Sequence, residues 1–461
     1  MLILHSENIV EQYENFKNEI NMKEEMKKLV GDVCRISIPT MITLSFSGLY
    51  SVIDGMFISH AAGATGLAAI NIAWPIPAVI TALGLGIGTG GAVLYSHEKG
   101  CSNNRYAGEI WKITIGLLVL CAVVITTVLG STYKEILALL GAKEEVLMQA
   151  EQYCFIIICG SIVQVFGAGI IPLMRNISMA IHSMAASVCG MFVNLFANYF
   201  LIVHHGMGIR GAAFGTVIAQ ITVSFLSIGL IVLTAKKRGV KAEKYYLTKN
   251  DICRTIKKIF MTAVPVFGMS IAPTIVLMIT NWQCLVYGGE VVVAAYAVIS
   301  YVVFPVQALL QGIGDGIQPL MSFYFGAKDR YKILAIKKIA IIMILLTEII
   351  FFFGTWLLRK QIAMLFHVTG QSLPVFMEGY GISIFSFFFY GFHKFNISYQ
   401  NACMNVKKAM FLSYGETLIV APLLLFGLPK LMGRIGIWVS LPVTGIVMLL
   451  IYAKGWKRNE M

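Results

Sequence analysis

Twelve apolar runs, separated by short polar segments, are the feature that most constrains how this chain can fold. Each run reaches the length of about 20 residues that an α-helix needs to cross a bilayer. Within lipid a backbone must satisfy its own hydrogen bonds, so the runs are predicted to be helices. Only 13% of the 461 residues are charged, against about a quarter in soluble domains. The predicted spans are 34–58, 66–96, 109–131, 147–173, 180–204, 209–234, 254–287, 290–322, 333–357, 374–403, 409–428 and 434–454.

The basic residues are distributed unevenly between the polar segments. With the N-terminus placed inside, the inner segments hold 28 of the 36 Lys and Arg residues, the outer loops hold seven, and Lys394 lies within a span. Because cytosolic loops carry the excess of Lys and Arg, both termini are predicted to be cytoplasmic. The N-terminal segment 1–33 lacks the basic and then apolar stretches of a signal peptide. The expected location is the inner (cell) membrane of a bacterium, crossed many times.

The second half of the chain repeats the first without gaps, in the register that aligns Pro265 with Pro39. In the same register Gly312, Gly314 and Gly316 align with Gly86, Gly88 and Gly90. An even number of spans in each half makes the halves parallel, which is a known design of secondary transporters. The expected organisation is a cytosolic tail at 1–33, an N-lobe at 34–235, a cytosolic linker at 236–253 and a C-lobe at 254–461, each lobe with six helices.

Five segments resemble the MATE (multidrug and toxic compound extrusion) family, and its MepA-like branch in particular. They are the opening helix ISIPTMITLSFSGLYSVIDGMFISH, the glycine-rich second span that ends in HEKG, the stretch VNLFANYFLIVHHGMGIRGAAFGT, the stretch GIGDGIQPLMSFYFGAK and the last-span opening GIWVSLPV. The resemblance implies an all-α membrane protein with twelve helices in two pseudo-symmetric lobes. It also implies export of amphipathic, often cationic, drugs in exchange for H⁺ or Na⁺.

A cation-coupling site is predicted in the N-lobe around Asp54. A carboxylate at membrane depth is costly, and intramembrane acids usually serve a function. Asn194 and Asn198 are four residues apart and share one helix face, and with Thr216 they would complete an oxygen-lined site. The family usually has Asp at the position of Asn198, so the lower negative charge slightly favours H⁺ over Na⁺. The alternatives are an interfacial aspartate and asparagines that only bridge helices.

A substrate cavity is predicted around the eighth span. Asp315 lies between two glycines there, and its charge would attract a cationic substrate. The remaining candidates are amides and aromatic side chains that could line the same wall: Gln307, Gln311, Gln318, Tyr50, Trp74, Asn281 and Tyr301. Aromatic faces bind cations, although most such residues in a membrane bundle simply pack against neighbouring helices or lipid.

Four further ionisable residues fall at membrane depth: Glu348, His393, Lys394 and Glu416. Lys394 is expected to pair with one of the two acids. A lipid-linked oligosaccharide flippase of the same superfamily is the alternative function, and its pyrophosphate substrate would require a strongly cationic cavity. Lys394 is the one clear base within the spans, which favours drug export.

The chain shows no pattern of an enzyme or of an ATP-driven pump. The phosphate-binding loop pattern is missing and the dipeptide Gly-Lys does not occur. The nine cysteines are scattered without a metal-binding spacing. We therefore expect no catalytic residues, metal or cofactor beyond the coupling cation. The net charge of +13 reflects loop lysines and arginines rather than a nucleic-acid surface, so the expected partners are small amphipathic cations and the lipid bilayer, with the protein a monomer.

Overall fold

The structure is a computed structural model in which the described residues are helical, with no strand among them. It describes the backbone of residues 2–239, 247–366, 368–370 and 372–456, and the side chains of residues 23–49, 57, 65–66, 68–239, 247–366, 368–370 and 372–454. The helices are α1 (Leu2–Ala73), α2 (Pro75–Gly100), α3 (Asn104–Leu139), α4 (Glu144–Cys159 and Ser161–Asn176), α5 (Ala180–His204), α6 (Gly208–Lys237), α7 and α8 (the two parts of Lys249–Gly326), α9 (Arg330–Leu357 and Arg359–Leu365), α10 (Ser372–Ala402), α11 (Val406–Met432) and α12 (Arg434–Trp456).

The helices are long and apolar enough for a multipass membrane protein. In the part of the chain that the structure describes, nine helices could cross a membrane, and two bent pairs raise the number to eleven. The 78-residue stretch Lys249–Gly326 counts once among the nine, although it breaks at Gly289, where φ is +62°. Its two parts interact through Tyr296 and Thr280, so it supplies two crossings. The predicted twelve-helix fold is confirmed.

The start of the second helix differs most clearly from the prediction. The second span was expected at 66–96, but α2 begins at Pro75 after a turn at Trp74. Proline favours the first position of a helix because its missing N–H has no partner there. Helix α1 runs continuously through residue 33, so the limit predicted between the tail and the N-lobe stays a prediction. The limits predicted for the lobes and linker stay predictions, because residues 240–246 lie outside the described part.

The turns of the two halves repeat each other in the register that aligns Pro265 with Pro39. Ser102 and Lys328 both have a positive φ, of 62° and 56°, at the turns that follow α2 and α8. Ser178 and Met404 do the same after α4 and α10, with 62° and 58°. A positive φ is uncommon for residues other than glycine, so four such turns in matching pairs are a signature of the internal repeat. We call the end of the bundle that carries these four turns the basic end.

The lobes pack on each other through the glycines that the repeat had singled out. A Cβ atom on Gly316 of α8 would lie 2.5 Å from the Cα atom of Ser37 in α1. Its repeat mate Gly90 of α2 would place a Cβ atom 2.5 Å from the carbonyl oxygen of Ile259 in α7. Small residues let membrane helices approach until their backbones touch. Each lobe therefore presents a glycine face to the first helix of the other lobe.

The first helix of each half also buries side chains in the core of the opposite lobe. Val33 of α1 is fully buried in the apolar cluster formed by α7 to α12. Its repeat mate, Ile259 of α7, is fully buried in the cluster formed by α2 to α6. The two buried side chains hold the lobes together near the basic end, because α1 and α7 both pass that end before entering the bundle.

Candidate functional site

The N-lobe contains a buried pair of asparagines on α5. Asn198 Nδ2 donates a hydrogen bond of 2.9 Å to Asn194 Oδ1, and both side chains are 1% exposed. Gly215 of α6 lies opposite, where any Cβ atom would collide with Asn198 Oδ1. Thr216 follows Gly215 and is half-buried. The structure thus brings three of the four predicted coupling residues to the α5–α6 contact.

The side chains of Asp54 and Tyr50, the other two predicted residues of α1, lie outside the described residues. Helix α1 packs against α5 and α6. The contacts of the Asp54 carboxylate with the asparagine pair stay a prediction.

Each lobe has a π-helical segment beside its buried polar residues. In α5 it runs over Tyr199–His204, directly after Asn198. In α11 it runs over Gly415–Val420 and contains Glu416. Such segments are rare and concentrate at functional sites, because the wider turn leaves backbone groups and side chains out of the regular ladder.

The C-lobe encloses a cavity of about 70 Å³ among α7, α8, α10, α11 and α12. Its wall combines aromatic rings of Tyr296, Phe304 and Tyr390 with the polar side chain of Gln307. Three of the four predicted buried charges also line it, namely His393, Lys394 and Glu416.

These three charged residues form one hydrogen-bonded cluster. Glu416 Oε2 lies 2.7 Å from Lys394 Nζ and 2.9 Å from His393 Nε2. Lys394 is only 2% exposed, and its ammonium group lies 5.0 Å from the ring centre of Tyr390. Removing one partner of a buried ion pair typically costs about 3–5 kcal/mol, because the other charge stays buried without compensation. The 2.7 Å contact shows that Lys394 pairs with Glu416 rather than with Glu348.

Asp315 of α8 lies beside Ser398, which is one helical turn after Lys394 on α10. Its carboxylate accepts hydrogen bonds from Ser398 Oγ at 3.0 Å and from Gln311 Nε2 at 3.3 Å. It also interacts electrostatically with Lys394 and with Arg175, a buried residue of α4 in the other lobe. Asp315 thus lies between a base of each lobe.

A polar contact joins the lobes beside Arg175. Asn176 Nδ2 donates to Gln318 Oε1 of α8 at 3.2 Å, and Ser96 of α2 donates to Asn176 Oδ1. Gln318 is therefore part of an inter-lobe contact near the basic end rather than of the cavity wall.

The comparison with known families decides what kind of protein this is. A family model described as MatE matches residues 39–200 and, again, residues 265–426. The chain belongs to the MATE family. The two matches begin at Pro39 and Pro265, which are partners in the internal repeat. Proteins of the MATE family are transporters rather than enzymes, and so is this chain.

Relatives and solved structures agree with this assignment. The multidrug export protein MepA of Staphylococcus saprophyticus is 25% identical over 69% of this chain and 70% of its own length. MepA of Staphylococcus aureus is 26% identical over the same shares. An outward-facing MATE transporter superposes with a TM-score of 0.84 at 21% identity, covering 93% of this chain and 96% of the other. A mutant of VcmN from Vibrio cholerae gives 0.84 at 19% identity, with 94% and 98% covered.

The remaining predicted residues of this MATE protein lie apart from the C-lobe cavity. Glu348 is fully buried and packs against Gly391, and among the described residues its carboxylate accepts no hydrogen bond from a side chain. The ring of Tyr301 lies 5.8 Å from that of Phe366. Trp74 and Asn281 are exposed, and neither is among the residues that line the cavity.

Sequence reasoning missed Arg175 and Ser398. Arg175 ends an apolar run, so it was counted only as a signal of topology. Ser398 is four residues after Lys394, and this spacing places it on the same face of α10. The spacing could have drawn attention to Ser398, whereas only the folded structure brings Arg175 of α4 to Asp315 of α8.

Proposed function

We propose that this MATE protein exports amphipathic, mostly cationic, small molecules from a bacterial cell in exchange for an inward-moving cation. The single observation that carries the proposal is the double match to the MATE family, together with relatives named as multidrug export proteins. The basic end faces the cytosol in this scheme, because positively charged loops remain inside, and both termini are cytoplasmic.

The proposed cycle alternates access between the two sides of the membrane. Tyr106 and Thr255 hydrogen bond across the lobes at 2.7 Å, and Cys101 Sγ donates to the Gly326 carbonyl at 3.3 Å. These contacts close the basic end, so substrate would leave from this state on the opposite side. A bound cation can drive this exchange only if it binds the two states with different affinity.

The proposed coupling site combines Asp54 with Asn194, Asn198 and Thr216. One carboxylate among neutral side chains suits the exchange of a single proton, whereas a second carboxylate at position 198 would have added negative charge for a metal cation. The asparagine at position 198 therefore favours H⁺. The protein is proposed to need no cofactor other than this cation.

Accumulation of a fluorescent cation in bacteria that express the protein tests the proposal. Cells with the wild-type protein should accumulate less dye, and a proton ionophore should abolish the difference. Asp54→Asn should lose export while still inserting in the membrane, because the exchangeable charge is removed. Asp251→Asn is the matched control, since Asp251 only caps α7 with Thr248 in an exposed position. Full export by Asp54→Asn would refute the coupling scheme.

The flippase alternative is weakened by the charges of the C-lobe. A pyrophosphate would need bases that are free to bind it, yet Lys394 is already paired with Glu416 and Arg175 faces Asp315. Reconstituted vesicles that contain a fluorescent lipid-linked oligosaccharide provide the direct test. Translocation of that lipid without any export of dye cations would favour the alternative.

A further inference from the structure

Charged residues of alternating sign lead from the inter-lobe contact into the C-lobe cavity. The series begins with Arg175 of the N-lobe and continues through Asp315, Lys394 and Glu416 of the C-lobe. Lys394 and Glu416 are the members that line the cavity, together with His393 and aromatic rings. A change at the cavity end of such a series alters the balance of charge at its other end, since Lys394 and Glu416 are in contact and the other neighbours interact through their electrostatic fields.

Lys394 occupies the decisive position because it lies between two carboxylates. Its ammonium group is hydrogen-bonded to Glu416 Oε2 at 2.7 Å. Ser398, one turn further along the same helix, donates to Asp315 Oδ1 at 3.0 Å. Successive turns are about 5.4 Å apart, a distance that a flexible lysine side chain spans by changing rotamers. Lys394 therefore lies within about one helical turn of a partner of each acid.

Asp315 in turn contributes to the attraction between the lobes. Its other basic neighbour is Arg175, which belongs to α4 of the N-lobe. The next residue, Asn176, hydrogen bonds to Gln318 across the same interface. If Lys394 turns to Asp315, the carboxylate is neutralised from its own lobe and its attraction for Arg175 decreases.

The charged cluster has no counterpart at the matching positions of the N-lobe. The repeat places Gly167, Ala168 and Gly190 at the positions of His393, Lys394 and Glu416. In the N-lobe, side chains of α6 fill this space, with Gln220 against Gly167 and Val223 against Gly190. The cluster is therefore an addition to one lobe, separate from the asparagine pair of the other.

A purely structural role explains the cluster poorly. Replacing a buried ion pair by apolar residues of similar size is often neutral or stabilising, since the charges lose their hydration. Here the pair borders the cavity, and Glu416 lies in a π-helical segment. Both features suit a carboxylate that can exchange Lys394 for another cation.

We propose that Glu416 binds the cationic nitrogen of an organic cation in the C-lobe cavity, and that the displaced Lys394 then pairs with Asp315 and weakens the electrostatic attraction of Asp315 for Arg175. Tyr390 and Phe304 supply aromatic faces for the same cation. Loading of the cavity would thereby favour separation of the lobes at the basic end. The inference rests on the proposed export function and adds a substrate-binding residue and a route of coupling to it.

Binding of benzyltrimethylammonium, a small amphipathic cation with a quaternary nitrogen, to the purified full-length protein tests the first half. Glu416→Gln should weaken binding at least about tenfold, because a charge-assisted contact is lost. Lys394→Met should leave binding unchanged or tighter, because it removes a competing cation. Glu378→Gln, which breaks a surface pair with Arg434, is the matched control and should bind normally. Unchanged binding in Glu416→Gln, or equal weakening in Lys394→Met, would overturn the assignment.

A distance measurement tests the second half. Spin labels on exposed Asn104 and Arg330, which are repeat mates at the basic end, should move apart when the cation binds to the wild-type protein. Lys394→Met should bind the cation without this increase. Asp315→Asn should show the longer distance before any cation is added. An increase in Lys394→Met equal to that of the wild type would refute the role of Lys394.

Two controls separate the possible failures. If Glu416→Gln does not fold, the double variant Lys394→Met, Glu416→Gln removes both charges together and should fold while binding the cation weakly. Normal binding by the double variant would reject the site. If the wild-type protein neither binds nor exports the cation, the proposed function fails. If it exports the cation while binding is insensitive to Glu416, only the present inference fails.

Discussion

Substitution of Gly316 by alanine should disturb the closed basic end, because the new methyl group would collide with the backbone of α1. The new Cβ atom would lie 2.5 Å from Ser37 Cα and 3.1 Å from Ser37 Cβ. Ordinary contacts of a Cβ atom start at about 3.4 Å, so α1 and α8 would have to move apart to admit it. The obstacle is backbone, and no side-chain rotation removes it.

The cost can be bounded from known effects of overpacking. An extra methyl group in a tightly packed contact typically costs about 1–3 kcal/mol. Alanine also gains up to about 1 kcal/mol of helix propensity over glycine, which acts in the opposite direction. Gly108→Ala measures this second effect alone, because nothing lies within 4 Å of a Cβ atom at that position. The difference between the two variants isolates the clash.

Because the contact exists only where the lobes meet, the clash should change the balance between conformations. A penalty of about 1–3 kcal/mol corresponds to a roughly 5- to 150-fold shift away from the closed basic end. Spin labels on Asn104 and Arg330 in proteoliposomes should report the longer distance in Gly316→Ala and the wild-type distance in Gly108→Ala. Identical distance distributions for the two variants would refute the idea that glycine packing holds this end closed.

Three further predictions concern the polar sites. Asn198→Asp adds a carboxylate beside Asn194 and should make export respond to a Na⁺ gradient in proteoliposomes; no response would exclude site charge as the basis of ion choice. Glu416→Gln should lower the melting temperature in detergent, by less than the roughly 3–5 kcal/mol of a fully unpaired buried charge because Lys394 can turn to Asp315, while adding Lys394→Met should restore most of the loss; a failure of the double variant to recover would contradict the pairing. Asn176 and Gln318 touch across the lobes, so the double variant Asn176→Cys, Gln318→Cys should form a disulfide that stops export until a reductant is added. Export that continues with the disulfide intact would show that these residues need not separate.

Much of the architecture could be predicted because membrane helices obey a local rule. A run of about 20 apolar residues must satisfy its hydrogen bonds internally, so Ala180–His204 was located to the residue. The start of α2 at Pro75 was not, because the apolar run itself continues across Trp74. The glycine pattern revealed the repeat, and Gly90 and Gly316 do occupy matching contacts.

The candidate site was only partly readable from the chain. Asn194 and Asn198 are one turn apart, so their contact follows from helix geometry alone. Lys394 was expected to pair with an acid, but Glu348 and Glu416 were equivalent choices by sequence. The partner is Glu416 because α11 turns its π-helical segment toward α10.

By itself the sequence determined which segments lie in the membrane, how many there are and that the second half copies the first, since each of these properties depends on neighbours within a few turns of one helix. Which charges meet was decided only when the lobes packed together. Arg175 and Asp315 belong to different halves of the chain, and a charge selects its partner by distance in space. That distance is set by the glycine contacts between the lobes, which no local pattern of residues contains.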